Sequence, residues 1–169
     1  MNRNVSIVQA TPPLTRSYWE ALDQVARERK YLCFVEAPPF ERTEAFVGQI
    51  VEKGWTQFYA VDGDAVVGWC DIIPIEHEGF QHGGHLGMGV IPGYRGRGLG
   101  RRLIDASLAH AATRGLLRVE LEVFASNEAA IGLYRKVGFV EEGRKRCARR
   151  IEGVCDDLIV MGLLMGELR

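Results

Sequence analysis

"GVIPGYRGRGLGRRL", Gly89 to Leu103, places five glycines and four arginines within fifteen residues, at the point where a β-prone run gives way to a helical one. Glycine inside a helix costs about 1 kcal/mol relative to alanine, so Gly96, Gly98 and Gly100 at a helix start call for some use of bare backbone. The first four N–H groups of a helix have no partner within it. Beside the positive end of the helix dipole, with Arg95, Arg97, Arg101 and Arg102 nearby, those groups can hold a phosphate or pyrophosphate. Close packing of helix on sheet, with the arginines solvated, is the other use such glycines could have. A Walker loop needs Lys-Ser/Thr after its last glycine, and here Arg101-Arg102 follow Gly100. The GxGxG spacing also departs from the GxGxxG dinucleotide fingerprint.

Outward from this turn, His85–Ile91 reads as a strand and Gly96–Arg114 as a helix burying Leu99, Leu103, Ile104, Leu108 and Ala111, with Gly115 placed to cap it. Leu116–Val123 alternates apolar and charged residues as the next strand, and "NEAAIGLYRKVGF" has Ala130, Ile131, Tyr134 and Val137 at helical spacing before Gly138. Upstream, Asn4–Thr11 is a short strand. Helical spacing follows in 14–30 and again from Glu41 to Gly54, separated by the aperiodic, proline-bearing Tyr31–Glu41. "WTQFYAV" and "AVVGWCDIIPI" flank Asp62-Gly63-Asp64, a hairpin signal. Phe139–Ile151 and Val154–Leu164 form a closing hairpin around Glu152-Gly153. A strand-helix-strand unit between antiparallel hairpins predicts an α/β fold, a mixed, mostly antiparallel sheet of about seven strands flanked by about four helices. We expect one domain over residues 1–169.

The 169 residues are 47% hydrophobic with a net charge of -1, enough for one core and no global field for nucleic acid or an anionic membrane. No apolar run approaches the roughly 18 residues of a membrane span. Nothing at the N-terminus resembles a signal peptide. Cys33, Cys70, Cys147 and Cys155 form no CxxC pair, so a cytoplasmic protein with reduced thiols is expected.

"RGRGLG" matches, at Arg95, Gly98 and Gly100, the Gln/Arg-x-x-Gly-x-Gly/Ala signature of the GNAT acyltransferases. "ELEVFASNEAAIGLYRKVGF" resembles the family's second signature, in which a strand ends, an asparagine starts a helix and a tyrosine precedes Gly-Phe. The likeness is close over residues 85–146 and fits the element order along nearly the whole chain. It implies the GNAT acyl-CoA N-acyltransferase fold and acetyl transfer from acetyl-CoA to an amine, with no metal. By the same resemblance, the coenzyme's pyrophosphate rests on Arg95, Gly96, Arg97, Gly98, Leu99, Gly100 and Arg101. Its pantetheine arm pairs with the backbone of Met88, Gly89 and Val90, and Asn127 contacts it. Family members are often dimers, which leaves a homodimer open.

Such chemistry needs a deprotonated amine, yet an alkylamine with a pKa near 10 is mostly protonated at neutral pH. It also needs a donor for the oxyanion, for which the Val90 N–H is the family-like candidate, and a proton for the leaving thiolate. Tyr134, two turns after Asn127, can be that acid; the alternative is a core aromatic. Glu120 and Glu122 share one sheet face. "LEVFASN" is similar to a segment of the ribosomal-protein N-terminal alanine acetyltransferases, in which the corresponding glutamate is the base, and this favours Glu122 over a salt-bridged surface role. His85, where many relatives carry an acid, and a water chain are the other routes.

"EHEGFQHGGH" brings together three histidines without any established zinc spacing. "RKRCARR", Arg144–Arg150, reads as a strand edge protected by charge, since no stacking aromatics accompany it. The partner expected is a small-molecule or peptide amine, with no nucleic acid and no membrane. A protein N-terminus, a polyamine, or a non-catalytic acyl-CoA sensor are the alternatives.

Overall fold

The computed structural model describes residues 5–166. Its elements run β1 (Ser6–Gln9), α1 (Thr15–Arg27), α2 (Phe40–Lys53), β2 (Thr56–Asp62), β3 (Ala65–Pro74), β4 (Gly83–Val90), α3 (Leu99–Thr113), β5 (Arg118–Phe124), α4 (Glu128–Val137), β6 (Val140–Ile151) and β7 (Val154–Leu164), with a 3-10 turn at Pro12–Leu14 before α1. Asn4, expected in β1, lies outside the described residues. The seven strands form one sheet in the order β1-β2-β3-β4-β5-β7-β6, and β4–β5 is its single parallel pairing. The expected mixed sheet with four helices is what the chain forms.

Around β2 and β3 both faces of the sheet are covered, which explains the nearly continuous apolar run of β3, whereas β5 keeps Glu120 and Glu122 on its second face. On one face α3 and α4 bury Leu103, Ile104, Ala111, Ile131 and Tyr134 against Cys70, Ile72, Val119, Leu121 and Val123. On the other, α1 and α2 bury Tyr18, Leu22, Val25 and Val47 against Tyr59, Val61 and Trp69. Burying each such side chain contributes about 1.5–3 kcal/mol. The expected turn residues close the elements: Gly63 turns the β2–β3 hairpin at φ +63°, Gly115 follows α3 at +83°, and Gly138 ends α4 at +117°.

Two expectations are corrected. First, α3 begins at Leu99 rather than Gly96. Gly96 and Gly98 lie in the preceding loop at φ +73° and +76°, a conformation that does not propagate a right-handed helix. Second, the thiols are not all reduced, because Cys147 and Cys155 form a disulfide across β6 and β7. The pairing arises where the register slips between Lys145 and Arg149. The extra residues bulge there, and Cys147, at φ +47°, turns toward the neighbouring strand while its N–H donates to Asp157 Oδ1 at 2.7 Å. Cys33 and Cys70 remain free thiols.

No helix among the described residues is long and apolar enough to cross a membrane.

Candidate active site

Strands β4 and β5 pair only at Gly83–Arg118, Gly84–Val119 and His85–Glu120. Beyond that point they part, although β4 stays paired with β3, and β5 with β7, along their lengths. Each strand therefore keeps one ladder while its facing edge, Leu86–Val90 or Leu121–Phe124, is left with unpaired backbone groups. Such an edge accepts an extended ligand as it would another strand. The gap opens into a cleft of about 900 Å3 lined by both edges, the Gly96–Arg101 turn, Asn127 and Tyr134. Met88, Gly89 and Val90 line it, as do Gly98, Leu99 and Gly100, while Arg97 of the turn does not.

The three glycines of the turn serve different ends. Gly96 and Gly98 supply positive φ, with nothing within 4 Å of where a Cβ would lie. Gly100 instead permits a close approach, since a Cβ there would meet Leu133 Cδ2 at 2.9 Å and Met88 Cε at 3.4 Å. Close packing thus accounts for Gly100, and the left-handed backbone for Gly96 and Gly98. With Gly98 as its N-cap and no side-chain cap, α3 directs its first free N–H groups at the cleft mouth.

The arginines are more committed than their sequence suggests. Arg95 donates from Nε to the Val90 carbonyl at 2.7 Å and through both terminal nitrogens to Glu28. Its guanidinium also lies 4.7 Å from the Tyr31 ring centroid. Arg101 pairs with Asp105, and Arg102 donates to the Val5 carbonyl. Arg97 lies over the Tyr94 ring. Backbone amides and the helix end, more than free guanidinium groups, make this turn receptive to an anion.

Asn127 is the N-cap of α4, its Oδ1 accepting from Ala130 N at 3.3 Å. Two turns later Tyr134 is 7% exposed, edge-on to Phe139, and reaches the cleft. Burial, with a smaller contribution from neighbouring Cys70, pushes its phenol well above the usual tyrosine range. Such a hydroxyl stays protonated at any physiological pH and can act only as a proton donor first.

Strand alternation sends Leu86, Met88, Leu121 and Val123 to the α3–α4 face and His85, Gly87, Glu120 and Glu122 to the opposite one. Glu122 lines the cleft there with its carboxylate paired to Lys145 of β6. His85 Nδ1 lies 3.2 Å from Glu120 Oε1, and Glu120 also accepts from Arg118. The structure therefore brings Glu122, His85 and Tyr134 to one cleft from three elements. His77 and His82 join no metal-binding cluster; among the described residues no group of three such ligands comes together.

Several lining residues lie outside the two motifs. Tyr31, Leu32 and Cys33 close the cleft from the α1–α2 connection. Arg149, in a segment expected to be a solvated edge, folds over the Phe124 ring with its guanidinium carbon 3.7 Å from the centroid and pairs with Asp156. Asp71, also outside both motifs, does not itself line the cleft. It sits in the middle of the apolar β3, 9% exposed, directly abreast of Gly87. Burial pushes its carboxyl up to about 7, opposed by the Gln57 side chain. One signal was available, a single acid among the ten strand residues Ala65–Pro74, the others uncharged.

Comparison with known proteins agrees with this geometry. The model of the acetyltransferase (GNAT) family matches residues 16–139. The mycothiol acetyltransferase of Geodermatophilus obscurus is 41% identical over 85 residues, 48% of this chain and 28% of that protein. The N-alpha-acetyltransferase RimI of Mycobacterium tuberculosis is 41% identical over 95 residues, 56% of this chain and 58% of its own length. The chain thus spans less than two thirds of these curated relatives. Among solved structures, a GNAT-family acetyltransferase from Streptococcus pneumoniae superimposes with a TM-score of 0.89 at 26% identity, covering 96% of this chain and 100% of that one. A GNAT superfamily phosphinothricin acetyltransferase from Sinorhizobium meliloti, in complex with acetyl-CoA, also gives 0.89, at 18% identity over 96% and 89% of the two chains, and so shares the fold. On the family match, the split β4–β5 sheet and the glycine turn at its mouth, this chain belongs to the acetyltransferase (GNAT) family.

Proposed function

We propose that this protein transfers the acetyl group of acetyl-CoA to the primary amine of a small molecule, an amino acid or amine, by direct attack within a ternary complex. The observation that carries this reading is the buried Tyr134 lining the cleft where β4 and β5 part, below a helix start with no side-chain cap. The amides of residues 96–101 hold the pyrophosphate, and the freed edge at Met88–Val90 pairs with the pantetheine arm. The thioester thereby lies in the gap. Acetyl-CoA bound in the S. meliloti relative supports this use of the fold.

The amine enters from the face bearing His85 and Glu122. Its lone pair attacks the thioester carbon, and the Val90 N–H stabilises the developing oxyanion. Glu122 accepts the proton released by the nitrogen of the adduct, the C–S bond breaks, and Tyr134 donates to the departing sulfur before solvent reprotonates it. Neither side chain forms a covalent intermediate.

A second reading, acetylation of a protein N-terminus, is favoured by the similarity to the N-alpha-acetyltransferase RimI. One experiment separates the two readings: thiol release from acetyl-CoA across amino acids, polyamines and N-terminal peptides, with calorimetric binding of the coenzyme as control. Turnover confined to peptides selects the second reading. Failure of the folded protein to bind acetyl-CoA removes both.

A further inference from the structure

We propose that Asp71 is the acidic group of the acceptor site: reached through the opening that Gly87 leaves in β4, its carboxylate binds the incoming ammonium group and takes its first proton. The proposal rests on the acetyltransferase reading above and adds a residue to it.

The sheet register sets Gln57, Asp71 and Gly87 side by side across β2, β3 and β4. Gly87 lines the cleft. A Cβ at that position would lie 3.1 Å from Asp71 Oδ1 and 3.6 Å from Oδ2, so any side chain there would cover the carboxylate. Glycine therefore acts as a window between cleft and acid. The face is the one that carries Glu122 and His85, opposite the α3–α4 face from which Tyr134 arrives.

Charge balance supports a cationic visitor. Glu122 is paired with Lys145, and Glu120 with Arg118 and His85. Asp71 faces Tyr18 from α1, Gln57 and Tyr59 from β2 and Gly87 from β4, with His85 the next residue along β4 on that face. Among the described residues no cation offsets its burial, and an isolated buried carboxylate is costly. Gln57 accepts from the Tyr59 hydroxyl through Oε1, and its side chain also lowers the Asp71 carboxyl, against the larger effect of burial. A buried carboxylate of this kind is offset by a ligand that brings a cation to it. A carboxyl titrating near 7 is also a base matched to neutral conditions.

The protons balance as follows. The ammonium group gives one proton to Asp71, and the neutral amine attacks. After the C–N bond forms, the nitrogen gives a second proton to Glu122, and the C–S bond breaks as Tyr134 protonates sulfur. Asp71 and Glu122 each return a proton to solvent and Tyr134 recovers one, for a net release of one proton per acetyl group transferred.

The test compares wild type, Asp71→Asn and Gly87→Ala. Thiol release is followed from acidic to alkaline pH with the most active amine of the panel, and coenzyme affinity is measured calorimetrically. In the wild type, kcat/KM rises through about pH 7 to a plateau that lasts until the free amine deprotonates near about 10. Asp71→Asn lowers it by about a hundredfold or more, abolishes the inflection near neutrality and leaves coenzyme affinity within about threefold; Gly87→Ala, which covers the window, does the same. An inflection retained in Asp71→Asn, with kcat/KM within about threefold of wild type, overturns the proposal. Absence of thiol release from the wild type with every amine counts against the acetyltransferase reading instead. The carboxyl carbon of Asp71 then decides by NMR titration in the coenzyme-bound protein: excess ethylammonium chloride shifts its midpoint downward, and an unmoved midpoint overturns the proposal.

Discussion

Arg95 and Glu28, 67 residues apart in the chain, meet in a two-pronged ion pair that ties the glycine turn to the end of α1, with Nη1 to Oε2 at 2.8 Å. Because Arg95 also carries the Tyr31 ring and donates to the Val90 carbonyl, the glycine turn and the loop at Tyr31 are held as one unit. Glu28→Gln should lower stability by about 1 kcal/mol. It should also raise the KM for the amine severalfold and accelerate proteolysis within residues 29–37. An unchanged KM would show that the pair is structural only.

Tyr134 is the acid of the proposed mechanism, and burial keeps its proton in place. Tyr134→Phe removes one oxygen from a packed aromatic, so folding and coenzyme affinity should hold while kcat falls about 10²–10⁴-fold. Calorimetry paired with steady-state kinetics checks this, and full turnover by the variant would remove Tyr134 from the mechanism.

Gly98 holds φ +76° at the N-cap of α3. Valine there meets no neighbour but is forced into a left-handed backbone, at a cost of at least about 1–2 kcal/mol. Gly98→Val should therefore disorder the amide row and weaken coenzyme binding more than tenfold, while far-ultraviolet circular dichroism stays native. Wild-type affinity in the folded variant would contradict the anion-binding role of the turn.

The disulfide pins the β6 bulge next to Arg149, which folds over the cleft. Thiol titration should find Cys33 reactive in the native protein, Cys70 only after unfolding, and two further thiols only after reduction. Cys155→Ser should lower the Tm and raise the KM for the amine, leaving coenzyme affinity alone. Four titratable thiols in the unfolded, unreduced protein would refute the bond.

Asp71 makes an opposite-signed prediction for stability. Its carboxyl is raised in the fold, so between the unfolded value near 4 and about 7 the native state binds the extra proton, and stability declines as pH rises through that window. Asp71→Asn removes the buried charge. Relative to wild type it should gain stability at pH 8, by an amount on the order of a few kcal/mol at most, with the gain shrinking toward pH 4. Urea unfolding at several pH values measures it. A variant less active yet more stable in alkali is what a functional rather than structural carboxylate produces.

Local chemistry determined much of this protein before any tertiary contact is considered. The hairpin at Asp62-Gly63, the caps at Gly115 and Gly138, the helical face around Leu103 and the glycine turn all follow from backbone preference and periodicity, which act within a few residues. The candidate residues Asn127 and Tyr134 came instead from a resemblance to a family signature, and Glu122 from the likeness of "LEVFASN" to a segment of the ribosomal-protein N-terminal alanine acetyltransferases. What the tertiary structure decided is whatever depends on pairing between distant segments. The register across β2, β3 and β4 sets Asp71 against Gly87, the early end of the β4–β5 ladder opens the cleft, and the bulge in β6 brings Cys147 to Cys155 and Arg149 over Phe124. A one-residue shift in any of these registers would send each side chain to the opposite face. That register is set by how all seven strands pack together, so no short stretch of the sequence could have shown it.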